Sequence, residues 1–266
     1  MKVMELIRKS EGGMKEHAIF LIRGLLQGGH QVIVLCDFPR SDLAGLEKAG
    51  AQIIPFRFPG TIQPFQDVRK IAELYSLLRK VKPDLLHCHG FKAGLIGRTA
   101  GLMAGCPLAY TVHNMILHGR GRISRFLICR FEKWIGKRTD AIICVSQAAK
   151  DSMAGEMGLN PEWIRVIRNS RPEWDTGDEG KVRKQYGIGG DNILIGTVAR
   201  LIPSKGIHFL LEAAPAVLER YPCAVLMIIG SGPEEISLKN LAGRLGIVGQ
   251  VIFTGQVHNI WDYYAA

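Results

Sequence analysis

Residues 3–35, VMELIRKSEGGMKEHAIFLIRGLLQGGHQVIVL, decide the architecture. The run 3–7 is apolar, 8–13 is polar and glycine-bearing, and Ala18, Ile19, Leu21, Ile22, Leu25 and Leu26 then recur at helical spacing before Gly28 and Gly29. A β-branched run over 32–35 follows at once. The order is strand, loop, helix, strand, and a helical crossover between strands implies parallel pairing.

The same alternation continues outward through apolar runs at 53–54, 85–87, 108–112, 141–145 and 165–167. Ile71, Leu74, Leu78 and Val81 mark the clearest helix between them, stopped by Pro83. These patterns predict one Rossmann-like, doubly wound α/β domain over 1–170. The polar stretch NSRPEWDTGDEG at 169–180 has no apolar period and predicts a linker over 171–190. Strands over 192–199, 224–229 and 251–254, with helices over 207–221 and 236–245, then predict a partial second Rossmann-like domain over 191–266.

Composition bounds the function. The chain has 266 residues, 47% hydrophobic and 22% charged, which excludes disordered and collagen-like classes. No apolar run reaches the roughly 18–20 residues that span a bilayer, and no secretory h-region opens the chain, so a cytoplasmic place is expected. Six cysteines without a Cys-x-x-Cys pair read as buried free thiols. A formal charge of +10 favours anionic partners, but basic repeats interleaved with aromatics and zinc-finger spacing are absent, so nucleic acid is not expected.

Ligands of open α/β sheets sit beyond the carboxyl ends of the strands. Gly12 and Gly13 follow the first strand, where backbone can approach a phosphate at a helix N-terminus. Arg200 and Lys205 bracket the loop IPSKG at 202–206 before another helix, a pattern suited to a diphosphate. Gly230 and Gly232, in GSGPE at 230–234, leave room for a flat ring or a ribose. His113 ends the strand 108–112, at the rim where reacting groups sit. His87 and His89 alternate along one strand and could share a metal with His113. No carboxylate motif supports that trio, and no Asp-x-Asp is present, so the expectation is a site without metal and without cofactor.

Between His118 and Arg138 stand seven basic residues (Arg120, Arg122, Arg125, Arg130, Lys133, Lys137 and Arg138) against one acid, Glu132. Ile123, Phe126, Leu127, Phe131, Trp134 and Ile135 share that helix. The expectation is a core-packed helix with a solvated face, and the alternative is an anionic-membrane patch over 120–138 with a peripheral place at the inner membrane face.

Taken in order, Gly12-Gly13 with His17, His87-Cys88-His89-Gly90, Thr111-Val112-His113-Asn114, Cys144-Val145-Ser146, Val166-Ile167-Arg168-Asn169, Val198-Ala199-Arg200 with Lys205-Gly206, Gly230-Ser231-Gly232-Pro233 and Phe253-Thr254-Gly255 resemble the family-4 retaining glycosyltransferases of the GT-B fold. The resemblance implies two Rossmann-like domains, the second incomplete, and transfer of a sugar from a nucleotide-diphosphate donor to an unidentified lipid or cell-envelope glycan acceptor. It implies that Gly12 and Gly13 contact a donor or acceptor phosphate, that Arg200 and Lys205 hold the diphosphate, and that His113 lines the transfer site. It places Gly255, Gln256 and Val257 near the base. The chain departs from the pattern at Asn114, where the family often has Asp, and at Arg168, where it has Pro. The paired-glutamate segment of the family is expected beyond Ala266. A truncated, non-catalytic nucleotide-binding protein is the alternative, and an NAD(P)-dependent oxidoreductase is disfavoured by the missing Gly-x-Gly-x-x-Gly.

Overall fold

The computed structural model describes residues 1–10, 12–114, 116–117, 119–169, 177–257 and 259–266, which fall into two units, Met1–Ser170 and Arg171–Ala266. Among the described residues of the first unit seven strands alternate with six α-helices. They run β1 (Lys2–Ile7), α1 (Gly13–Gln27), β2 (Gln31–Cys36), α2 (Arg40–Lys48), β3 (Gln52–Pro55) and α3 (Pro64–Val81). The unit continues with β4 (Leu85–His89), α4 (Gly90–Ala104), β5 (Leu108–Val112), α5 (Arg122–Gly136), β6 (Ala141–Cys144), α6 (Gln147–Gly155) and β7 (Ile164–Val166).

All seven strands pair in parallel, in the order β3-β2-β1-β4-β5-β6-β7. The order reverses between β1 and β4, and a crevice opens beyond the carboxyl ends of strands at such a switch. Both sheet faces are covered, which is why the strands read as apolar runs rather than alternating ones. Met4 and Leu6 of β1 join a cluster with Leu74, Ile96, Ile128 and Met153 from α3 to α6. Ile7 joins a second cluster with Ala18, Ile22 and Leu43 from α1 and α2. Helix α4 lies close on the sheet because it carries glycine at the contact: a Cβ at Gly97 would stand 2.3 Å from the Cys88 Sγ.

The second unit runs α7 (Glu179–Tyr186), β8 (Ile193–Val198), α8 (Ile207–Arg220), β9 (Ala224–Ile229), α9 (Glu235–Arg244), β10 (Val251–Gly255) and α10 (Ile260–Ala265). Its three strands are parallel in the order β10-β9-β8. Leu226 and Ile228 face α8 and α9, while Met227 and Ile229 face Val182 of α7 and Ile260 of α10. The segment 171–190, read as a linker, therefore needs correction. Residues 171–176 lie outside the described residues, but Glu179–Tyr186 form a helix that buries Val182. Two apolar side chains, Val182 and Tyr186, are too sparse a pattern to announce a helix, and Lys181 is held by Asp262, 2.6 Å away.

Two further expectations change. Cys36, Cys88 and Cys144 are buried as free thiols, but Cys106 and Cys129 are half-buried and Cys223 is exposed. Helix α5 buries only part of the stripe assigned to it: Ile135 is buried and Phe131 half-buried, whereas Ile123, Phe126, Leu127 and Trp134 are exposed, and Ile128, Glu132 and Gly136 complete the inward face. The acid turns the helix. Glu132 Oε1 accepts from Arg98 Nη2 at 2.6 Å, both side chains are fully buried, and the Arg98 guanidinium lies 3.8 Å from the Tyr110 ring centroid. A buried charge that loses its partner is costly, whereas replacing both partners by apolar groups is tolerated. Glu132→Leu alone should therefore destabilise the protein by about 3–5 kcal/mol in urea unfolding, with the Arg98→Met/Glu132→Leu pair closer to the native chain than either single variant.

Candidate functional site

The switch between β1 and β4 carries a polar cluster inside an otherwise apolar sheet. Register sets Glu5 beside His87 and Ile7 beside His89. Period-two alternation points Glu5, His87 and His89 to one face and Leu6 and Cys88 to the other. Glu5 has no exposed surface. His87 Nδ1 lies 3.2 Å from its Oε1, and His89 Nε2 lies 2.7 Å from its Oε2. The next strand adds Thr111, whose Oγ1 stands 2.8 Å from His87 Nε2, and beyond its end His113, whose Nε2 stands 3.2 Å from His89 Nδ1. His17 of α1 completes the group, its ring edge-on to His113 with centroids 5.0 Å apart.

The electrostatics follow from burial and proximity. Burial by itself would raise the Glu5 carboxyl, but the attraction of His87 and His89 and their hydrogen bonds outweigh it and hold the group well below the usual carboxylate range. Burial, with His87 beside it, pushes His89 down to about 4 against the pull of Glu5. Burial, with His89, His17 and His87 around it, pushes His113 down to about 3. His17 is lowered by burial and by His87. At neutral pH the cluster is an ionised carboxylate facing neutral His89, with neutral His113 and His17 behind it.

This revises the metal trio read from the sequence. The ring nitrogens that converge within 4.8 Å belong to His17, His89 and His113, while His87 groups with Glu5 and His89. The nearby carboxylate that the sequence reading did not find is Glu5. Its signal was a lone acid in the middle of an apolar strand, where a charge persists only if paired.

The remaining candidates divide between the two units. Gly12 precedes α1 with φ 73 and ψ −148, a glycine-only region, and neither Gly12 nor Gly13 has an atom within 4 Å of where a Cβ would stand. Both are open to close approach. In the second unit Arg200 follows β8, and Lys205 ends a short turn before Gly206 and α8. Both cations are exposed, and among the described residues neither side chain has a hydrogen bond or an ion pair, their only bonds being those of the backbone to Ile202. Between them the Leu201 amide donates to the Ser231 carbonyl at 2.9 Å, and Leu201 is fully buried, which fixes the loop.

Gly230 and Gly232 do something other than leave space. Gly230 has φ 134, and a Cβ there would meet the Ala199 carbonyl oxygen at 2.0 Å; one at Gly232 would meet that of Leu201 at 2.3 Å. The room is filled by the backbone of the Arg200 loop, so these glycines let two loops touch. Gly255 has φ 70 and its carbonyl accepts from the Gly230 amide at 2.9 Å. Gln256 is exposed, and Val257 packs among Met227, Ile229 and Ile260. His118 lies outside the described residues.

Comparison with known proteins matches this division. Residues 11–170 fit the model of Glycosyltransferase Family 4, and residues 178–266 fit that of Glycosyl transferases group 1. A UDP-Gal:alpha-D-GlcNAc-diphosphoundecaprenol alpha-1,3-galactosyltransferase of Escherichia coli is 31% identical over 205 residues, covering 71% of this chain and 52% of the relative. The phosphatidylinositol N-acetylglucosaminyltransferase GPI3 subunit of Saccharomyces cerevisiae is 27% identical over 266 residues, covering 92% of this chain and 56% of the relative. The chain thus spans little more than half the length of these relatives. The crystal structure of Anabaena Alr3699/HepE in complex with UDP and glucose superposes with a TM-score of 0.79 at 21% identity, covering 100% of this chain and 72% of that one. This likeness identifies the fold as GT-B. With its parallel seven-strand sheet, its second parallel-sheet unit and a family model over most of its length, the chain belongs to Glycosyltransferase Family 4.

Proposed function

We propose that the protein transfers a sugar from a nucleotide-diphosphate donor, with retention at the anomeric carbon, to a lipid or cell-envelope glycan acceptor. The observation that carries this reading is the pair of exposed, unpartnered cations Arg200 and Lys205 beside the N-terminus of α8. Breaking the glycosidic bond to a diphosphate leaves negative charge on the departing group, and prearranged cations with a helix dipole stabilise it. No metal or cofactor is invoked, since the side chains supply that charge. Gly12 and Gly13 are assigned to a phosphate, Gly230 and Gly232 to shaping the diphosphate loop, Gly255, Gln256 and Val257 to the edge of the base, and His113 to the transferred sugar. The donor class finds support in the UDP-containing structures of similar fold and in the UDP-Gal donor that names the Escherichia coli relative. That relative's name also carries a lipid diphosphate acceptor. Retention rests on the family resemblance alone.

The acceptor class gains weight from α5. Ile123, Phe126, Leu127 and Trp134 are exposed on the same outward side as Arg130 and Lys137, a mixture that suits the interface of an anionic bilayer. Arg120 is committed elsewhere, donating to the Ile116 carbonyl at 2.8 Å, and Arg125 pairs with Glu156 at 3.0 Å. Among the described residues no helix is long and apolar enough to cross a membrane. A cytoplasmic protein peripheral to the inner membrane face is the corresponding location.

Calorimetric titration with UDP tests the donor site. Arg200→Ala and Lys205→Ala should each weaken binding by about 1.5–3 kcal/mol, roughly 10- to 150-fold, and binding should persist in excess chelator. Unchanged affinity in both variants overturns the assignment, and UDP binding without sugar transfer favours the non-catalytic alternative. The second measurement is co-sedimentation with vesicles. Binding should require acidic lipid, weaken as salt rises, and fall in Phe126→Asp and in Lys133→Glu/Lys137→Glu.

A further inference from the structure

The hydrogen-bond chain around Glu5 has a directional logic. An ionised carboxylate can only accept, so the protons lie on His87 Nδ1, 3.2 Å away, and on His89 Nε2, 2.7 Å away. Neutral His89 then has a bare Nδ1, and the atom facing that lone pair is His113 Nε2 at 3.2 Å. Two bare nitrogens repel, so His113 must place its proton on Nε2 and donate. Its Nδ1 is left bare, with no partner among the described residues. Thr111 Oγ1 occupies only the far nitrogen of His87 and does not enter this branch. His17 meets His113 edge-on rather than through a hydrogen bond.

We propose that Glu5 is a positioning residue that, through His89, holds the His113 ring with its proton on Nε2 and its Nδ1 bare, ready to accept a hydrogen bond from a hydroxyl of the transferred sugar. The last clause rests on the glycosyl-transfer reading above, while the tautomer itself does not. Nothing in the local sequence around His113 specifies a tautomer, because the group that decides it sits on another strand 108 residues earlier in the chain. The arrangement is the metal-free counterpart of a carboxylate–histidine pair that orients a metal ligand. Here the second imidazole stands where the metal would be.

Glutamine at position 5 reverses the logic at small steric cost. Its amide nitrogen donates, and when it faces His89 Nε2 it drives that ring's proton to Nδ1. His113 must then accept at Nε2 and carry its own proton on Nδ1, turning an acceptor into a donor. Long-range nitrogen–proton NMR correlation on the 15N-labelled full chain at neutral pH reads these states directly, with the His113 signals identified by their loss in His113→Asn. The expected result is a single Nε2–H tautomer for both His89 and His113 in the native protein, and loss of that single state in Glu5→Gln. Native His113 protonated on Nδ1 overturns the proposal, and this holds even if Glu5→Gln fails to fold. So does a folded Glu5→Gln protein in which both rings keep the native tautomer. Ring signals that change on adding chelator or zinc also overturn it, by making His17, His89 and His113 a metal site. Titration with UDP-glucose against UDP separates the two layers: a shift of His113 Nδ1 with the sugar nucleotide alone is expected, and its absence overturns the sugar contact while leaving the tautomer result standing.

Discussion

A carboxylate with no exposed surface at the centre of a seven-strand sheet is a constraint that its neighbours must answer. Left alone in that environment Glu5 would take up a proton or destabilise the fold, because burying an unpaired charge costs several kcal/mol. The answer comes from the adjoining strand at positions the pleat turns to the same face, His87 directly opposite and His89 two residues on. The parallel register between β1 and β4 and the pairing chemistry thus require each other. A one-residue slip would turn Leu86 and Cys88 toward Glu5 and send both imidazoles into the apolar cluster behind the sheet.

This pairing falls at the topological switch, and the coincidence has a physical basis. Beyond the ends of β1 and β4 the chain departs to opposite faces, α1 into one apolar cluster and α4 into the other, and such a parting opens a crevice at the carboxyl edge. Groups near that edge must be polar enough to act, yet the strands that carry them are buried on both faces. The chain of hydrogen bonds from Glu5 through His89 to His113 satisfies both demands, keeping polar atoms paired inside while it reaches the end of the strands.

How much of this was legible in the sequence follows from what each signal depends on. The inner strands of the first sheet and β9 of the second stood out because two-sided burial makes them apolar runs, and Arg200 and Lys205 stood out because a charged loop between a strand and a helix is a local pattern. Glu5 was hidden inside the run 3–7, where four apolar neighbours outvote one acid in any window. Helix α5 hides its inward face in the same way: its apolar residues include Phe126 and Leu127 on one side, while Arg98, 34 residues away, draws Glu132 inward on another. Gly230 and Gly232 looked like space for a ligand because a sequence shows the missing side chain and not the backbone that fills its place. Each miss is a long-range partner invisible to local spacing, and α7 is the converse, a helix too polar for its pattern that is secured by Lys181 to Asp262 and Arg183 to the Ala266 carbonyl.

The two units meet the problem of handling charge in opposite ways. In the first, burial and crowding keep His17, His89 and His113 neutral, and the one charge among them is answered within the cluster. Such a group needs no change of protonation when a neutral hydroxyl arrives, and the hydrogen bond it offers offsets the hydration the hydroxyl loses. In the second, Arg200 and Lys205 stand in water without partners, stabilised by hydration and available to an anion at the cost of stripping that hydration. An exposed cation pair gains most from a ligand carrying more than one charge, because a diphosphate answers both at once and returns in electrostatic attraction what each side chain loses in solvation and rotamer freedom.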